Sequence, residues 1–166
     1  WKGTPSMTTE STTPRVVLIT GGSRGIGLAC ARHFAALGDH VAVTYNSSPP
    51  PGEFFAVKCD VTNNEDVDNA FKAIEEKFGP VQILVSNAGI TRDGLLLRMG
   101  EDDFASVIDA NLTAAYRVCK RATQGMLRAR SGRIILMSSV VALMGSAGQA
   151  NYSASKAGLV GLARSL

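Results

Sequence analysis

The stretch RVVLITGGSRGIGLACARHFAALG, residues 15–38, decides the fold. Its first six residues form a short apolar, β-branched run that reads as a buried strand. Its second half carries apolar residues at helical spacing and stops at Gly38. Between them lies TGGSRGIG, 20–27. Gly21 allows a tight turn, Gly25 lets the backbone approach a ligand, and Gly27 lets the helix pack on the strand. The helix start then offers free N–H groups and a positive dipole end to a pyrophosphate. A helix start that merely needs glycines is the plainer reading. In the first strand–helix turn of an alternating fold, this spacing favours a dinucleotide, with Ser23, Arg24 and Ile26 in the same turn.

The alternation continues outward. HVAVTY (40–45) is a second strand, NSSPPPGE (46–53) is turn chemistry, and FFAVKCDV (54–61) is a third strand. NNEDVDNAFKAIEEKFG (63–79) has an Asn cap, early acids and a late Lys77, all suited to a helix. VQILVSNAG (81–89) gives strand four, 102–130 a long amphipathic helix, and RIILMSS (133–139) strand five. A last helix contains Tyr152. Strands alternating with helices imply parallel pairing through right-handed crossovers, with helices on both faces. The expected fold is α/β, a Rossmann-like doubly wound parallel sheet, with one NAD(P)-binding domain over 14–166. Residues 1–13 read as a tag remnant, WKGTPS, and a polar flexible tail.

Composition narrows the function. The 166 residues are 45% hydrophobic and 19% charged, as in an ordinary globular domain. A net charge of +3 lacks the dense basic patch of a nucleic-acid binder. No apolar run reaches membrane-spanning length, and no signal core stands at the start. Three widely spaced cysteines, Cys30, Cys59 and Cys119, make neither a disulfide framework nor a metal site. A reduced, cytoplasmic protein without a metal is expected.

Strand ends define the ligand groove. An NAD site usually places an acid after the second strand. Here VTYNSS has none, while Arg24 can pair with a 2′-phosphate, so NADPH is the expected cofactor. Asp60 can accept from an adenine amino group, with Val61 on the ring; a helix N-cap is its plainer role. Asn87, Ala88 and Gly89 end the fourth strand, where small residues let a cofactor lie close to the backbone.

The chain ends ANYSASKAGLVGLARSL, 150–166. Tyr152 and Lys156, at i and i+4, share a helix face. A tyrosine hydroxyl with a pKa near ~10 in water is a poor acid at neutral pH. A nearby ammonium favours the phenolate and suits the group to protonate the oxygen of a ketone under reduction. A second donor should polarise that carbonyl. Ser138 and Ser139 both close strand five, and alternation allows only one to point into the site. Alone, a Tyr-x-x-x-Lys pair usually decorates a solvated face. Its companions give it weight.

Glycine turn, NAG, strand-end serine and Tyr-x-x-x-Lys together resemble the short-chain dehydrogenase/reductase family across 14–166. That resemblance implies Ser139 as the catalytic serine, thirteen residues before Tyr152, and Asn111 in DANL as a fourth catalytic residue. In the family the asparagine is understood to kink its helix and hold a water linking the lysine to solvent. The resemblance also implies that Tyr152 and Lys156 contact the cofactor. ITRDGLLLRM (90–99) and GQANYSASKAGLVG (148–161) are similar to 3-oxoacyl-[acyl-carrier-protein] reductases of fatty-acid synthesis, of actinobacterial type. These imply a carrier-protein thioester substrate, docking at Arg130, and a homotetramer. A solvated basic helix face is the alternative for Arg130.

Departures are local. Ser86 replaces the first asparagine of NNAG, and Asn46 stands where close relatives often carry a second arginine for the 2′-phosphate. The 46–53 connection is too short for the helix most relatives place there. The family continues past the last helix with two strands and a lid, so the expectation is a C-terminally incomplete domain with strand five as an exposed edge. The competing readings are a related reductase of acetoacetyl-CoA, a sugar or an alcohol, and an inactive fragment that binds only nucleotide or a partner subunit.

Overall fold

The computed structural model describes residues 13–166. The tag and tail expectation therefore falls almost wholly outside the described residues. Five strands form one parallel sheet in the order β3-β2-β1-β4-β5. They are β1 (Val16–Thr20), β2 (His40–Tyr45), β3 (Phe55–Lys58), β4 (Ile83–Ser86) and β5 (Arg133–Leu136). The helices are α1 (Gly25–Ala36), α2 (Asn64–Phe78), α3 (Glu101–Ile108), α4 (Ala114–Ala129), α5 (Val141–Met144) and α6 (Ala150–Ser165). A 3₁₀ turn covers Leu96–Arg98, and a π-helical segment, Asp109–Thr113, joins α3 to α4.

β1 is buried along its whole length because both faces are covered, as its unbroken apolar run requires. Val16 and Leu18 face α2 and α4, packing with Val67, Phe71, Ile74, Val118 and Met126. Val17 and Ile19 face the other way, toward Ala31 of α1 with Val43 and Val85. Burying a side chain such as Phe71, 1% exposed, contributes about 1.5–3 kcal/mol. Arg121 ties α4 to α2 through Glu75 at 2.6 Å and Asp68 at 3.0 Å.

The expected elements are present, and most strands are shorter than their apolar runs. β3 stops at Lys58 rather than Val61, β4 at Ser86 rather than Gly89, and β5 at Leu136 rather than Ser139. In each case the residues left over peel away at the same sheet edge. Asn63, not Asp60, caps α2: its Oδ1 accepts from Glu65 N at 2.8 Å and Asp66 N at 3.2 Å. The long helix expected over 102–130 is one path from 101 to 129 with a π-turn inserted around Asn111. Residues 46–54 run from β2 to β3 as bends and a turn, as their prolines require. β5 pairs only with β4 among the described residues, and Ile135 is 42% exposed.

Candidate active site

The C-terminal ends of β1 and β4 lie side by side, Thr20 opposite Ser86. The chain then departs in opposite directions, to α1 on one face and toward α3 on the other. This switch point opens a groove of about 910 Å³. It is lined by Gly21, Ser23, Arg24, Gly25 and Ile26, by Asn46 after β2, by Asp60 and Val61 after β3, and by Asn87, Ala88 and Gly89 after β4. The sequence-predicted cofactor residues from these four strand ends thus share one groove except Gly27, which is buried behind it against the Gly21 carbonyl and Asn87.

The glycines are there for space. A Cβ on Gly21, whose φ is +67°, would stand 2.9 Å from Ala88 Cα. On Gly27 it would collide with the Gly21 carbonyl and lie 2.6 Å from Asn87 Nδ2. Gly25, at φ +56°, faces open space. No side chain caps α1 and no acid stands in its first turn, so its amides remain available to an anion. Room, glycine cradle and helix start together fit a dinucleotide pyrophosphate.

Thr20 was not singled out in the sequence, yet its hydroxyl accepts from Asn87 N at 3.0 Å and Ala88 N at 3.2 Å. Asn87 Nδ2 donates back to the Thr20 and Gly21 carbonyls at 3.2 and 3.0 Å. Asn87 is therefore a strut between the two strand ends. Gly22 was also missed; a Cβ there would stand 2.6 Å from Val43 Cβ. Only the double glycine in the sequence hinted at it.

Asp60 Oδ1 accepts from Thr62 N at 2.9 Å and Thr62 Oγ1 at 2.7 Å. These bonds, with a smaller contribution from Arg117, hold its carboxyl below the usual carboxylate range. Cys59 and Cys119 are pushed up to about 11, chiefly by burial, and stay as thiols.

At the other end, Gly89, Asn111 and Lys156 converge. A Cβ on Gly89 would lie 2.9 Å from Asn111 Oδ1 and 3.8 Å from Lys156 Nζ. Lys156 is 6% exposed and its Nζ donates to the Met137 carbonyl at 2.7 Å. Among the described residues no carboxylate pairs with it, and burial lowers its pKa from the ordinary lysine value. Its Nζ lies 5.6 Å from the Tyr152 ring centre. Asn111 Oδ1 accepts from Ile90 N at 2.7 Å, while its Nδ2 donates to Ile90 O at 3.0 Å and Ser155 Oγ at 3.1 Å. Its side chain is thus fully engaged in bracing.

The two serines differ. Ser138 Oγ donates to the Lys156 carbonyl at 2.8 Å, which fastens α6 to the end of β5. Ser139 Oγ makes only a long bond, accepting from Val141 N at 3.4 Å. Arg130 lies apart from all of this, exposed at the end of α4. Among the described residues no helix is long and apolar enough to cross a membrane.

A family model described as short chain dehydrogenase matches residues 15–166. The chain belongs to the short chain dehydrogenase family. Such dehydrogenases use a nicotinamide dinucleotide, which the groove fits. The chain is 55% identical over 152 residues to a 3-oxoacyl-[acyl-carrier-protein] reductase, MabA, of Mycobacterium avium, covering 92% of this chain and 60% of that protein. It is 45% identical over 166 residues to a 3-oxoacyl-[acyl-carrier-protein] reductase of Synechocystis, covering 93% and 67%. It is 44% identical over 160 residues to the same-named enzyme, FabG, of Vibrio cholerae, covering 92% and 66%. The chain spans about three fifths of the length of the mycobacterial relatives it matches. Within this short chain dehydrogenase, Gly89 lines the groove that the glycine turn opens and lies beside Lys156 of the Tyr152–Lys156 helix.

Proposed function

We propose that the protein reduces a 3-oxoacyl thioester, carried on acyl carrier protein, to the 3-hydroxyacyl thioester with NADPH, as a step of fatty-acid synthesis in the cytoplasm. The observation that carries the reading is the buried Lys156. An ammonium without a carboxylate, beside a tyrosine ring and against Gly89 at the groove's end, is costly to fold and useful for proton transfer. The three relatives named above, each a 3-oxoacyl-[acyl-carrier-protein] reductase, support the substrate class.

When bound, the reduced nicotinamide supplies the hydride that the ketone carbon accepts. Tyr152 Oη gives its proton to the ketone oxygen as negative charge develops there, and Ser139 donates a hydrogen bond to the same oxygen. Lys156 holds its charge near the phenolate that Tyr152 becomes. Asn111 spends its side chain on Ile90 and Ser155, so its part is to fix the π-turn between the groove and α6. A water serving Lys156 would then bond a main-chain carbonyl that the π-turn leaves free, rather than the amide. Asp60 Oδ2 is left for an adenine amino group, since the bonds to Thr62 use Oδ1. Arg24 and Asn46 both line the groove, and it is the guanidinium of Arg24 that supports the NADPH reading, Asn46 adding no charge for a 2′-phosphate.

Arg130 is the carrier-protein contact in this reading. It is the one non-glycine residue with positive φ among the described residues, +50°, a conformation that favours glycine. A charged side chain kept at such a position supports a use for the charge. The homotetramer in this reading rests on the family resemblance, with exposed Tyr116 and Leu127 on α4 as apolar surface open to a second copy. The test is Tyr152→Phe assayed with NADPH and acetoacetyl-carrier protein. The expected loss in kcat is about 10²–10⁴-fold with dinucleotide binding intact. Near-normal turnover would overturn the assignment.

A further inference from the structure

Asn151, immediately before the tyrosine, is 0% exposed. Its Nδ2 donates to the Arg92 carbonyl at 2.8 Å and the Asp103 carbonyl at 3.3 Å. Its Oδ1 accepts from Tyr152 N at 2.8 Å. That last bond answers a local need. Tyr152 N–H lies in the first turn of α6, where no helical carbonyl can reach it. The N-cap side chain, Gln149, does not serve the turn, because its Nε2 is directed to the Asp93 carboxylate at 3.2 Å.

The first turn of α6 is thus stapled to the β4–α3 connection residue by residue. Gly94 N donates to the Gly148 carbonyl at 2.8 Å, Gln149 reaches Asp93, and Asn151 reaches Arg92. Of these ties only that of Asn151 comes from a fully buried side chain, where a hydrogen bond is stronger and its loss costs more. An amide is also the group that fits, with donors for two carbonyls and an acceptor for one N–H.

We propose that Asn151 is a positioning residue: it sets the main chain of Tyr152 against the β4–α3 connection, so that the hydroxyl's place over the groove's end depends on that connection. The inference rests on Tyr152 acting as the proton donor. Asn151→Asp keeps the shape but turns a carboxylate toward the Arg92 and Asp103 carbonyls. Asn151→Ser keeps an acceptor for the Tyr152 amide and is too short to hold both carbonyls.

The experiment measures kcat and KM for acetoacetyl-carrier protein, and NADPH binding by fluorescence, in N151D, N151S and Y152F. The expected result is a kcat lowered about ten- to a hundredfold in N151D and N151S. KM and NADPH affinity should stay within about twofold, because ground-state binding does not need the hydroxyl's exact placement. If N151D does not fold, N151S carries the test. Wild-type kcat in a folded variant, or a loss confined to KM, would overturn the inference. Should Y152F retain activity, the proton-donor reading fails; should Y152F be inactive and N151S normal, only the positioning role fails.

Discussion

Lys156 is held by β5's end through both its side chain and its backbone: Nζ donates to the Met137 carbonyl at 2.7 Å, and its own carbonyl accepts from Ser138 Oγ at 2.8 Å. Two consecutive residues thus fix where the ammonium stands and how the α6 backbone runs beside it. Burial disfavours the protonated form in the fold. Between the lowered folded pKa and the unfolded value near ~10.4, the unfolded chain binds more protons, so the parent gains stability as pH rises through that window. Lys156→Met removes this dependence along with turnover. Thermal melts of variant and parent should show a difference that shifts in the parent's favour from pH 7 toward pH 10; a constant difference would mean the buried charge carries no such cost.

Ser138 and Ser139 should separate in two assays. Ser138→Ala removes the bond to the Lys156 carbonyl and should cost about 1 kcal/mol of stability, with kcat lowered less than about tenfold. Ser139→Ala should leave the melt nearly unchanged and lower kcat by about 10²–10³-fold. The reverse pattern would exchange their roles.

Gly25 and Gly27 should fail differently. Gly27→Ala drives a methyl into the Gly21 carbonyl and Asn87, and should lose about 1–3 kcal/mol without any ligand. Gly25→Ala meets no atom within 4 Å, pays chiefly for its positive φ, and places its methyl in the open groove. Its melt should therefore lose the upward shift that NADPH gives the parent. A preserved shift would place the pyrophosphate elsewhere.

Arg24 is exposed on the groove's rim and, among the described residues, takes part in no ion pair. Arg24→Glu should weaken NADPH binding by about tenfold or more while NADH binding changes little, since only the former carries the 2′-phosphate. Equal effects on both would assign cofactor choice to other residues.

Arg130→Gly relieves a left-handed backbone and should raise stability by about 0.5–1 kcal/mol. Arg130→Glu should raise KM for a carrier-protein thioester several-fold and hardly move that for a small thioester. Competition assays with both substrates decide it, and parallel effects would remove Arg130 from docking.

Much of this was legible in the chain. The runs at 15–20 and 40–45 are apolar on both faces, and the glycines of the first strand–helix turn sit at fixed offsets from a strand. The strand ends were not legible, because Cys59 to Val61, Asn87 to Gly89 and Met137 to Ser139 have strand-like neighbours and leave the sheet to meet the groove. Strand alternation cannot choose between Ser138 and Ser139 for the same reason, since both lie past Leu136, and only the family resemblance points to Ser139. The π-turn at Asn111 has no composition of its own. Asn151's bonds reach 48 and 59 residues back along the chain, beyond any local pattern.

The strand order carries a consequence for how the molecule is made. Among the five described strands the central one precedes the others in the chain, its neighbours on one side follow by residue 58, and β4, β5 and α6 end at 86, 136 and 165. A growing chain therefore completes the β2–β3 wall of its groove about a hundred residues before the helix that bears Tyr152 and Lys156 leaves the ribosome. Until β4 arrives, one long side of β1 has no neighbour, and the apolar faces of Leu18 and Ile19 wait for α2, α4 and α1 to close over them. For that interval the nascent sheet has an open flank, and the face that carries Leu18 is covered in full only when α4 follows β4.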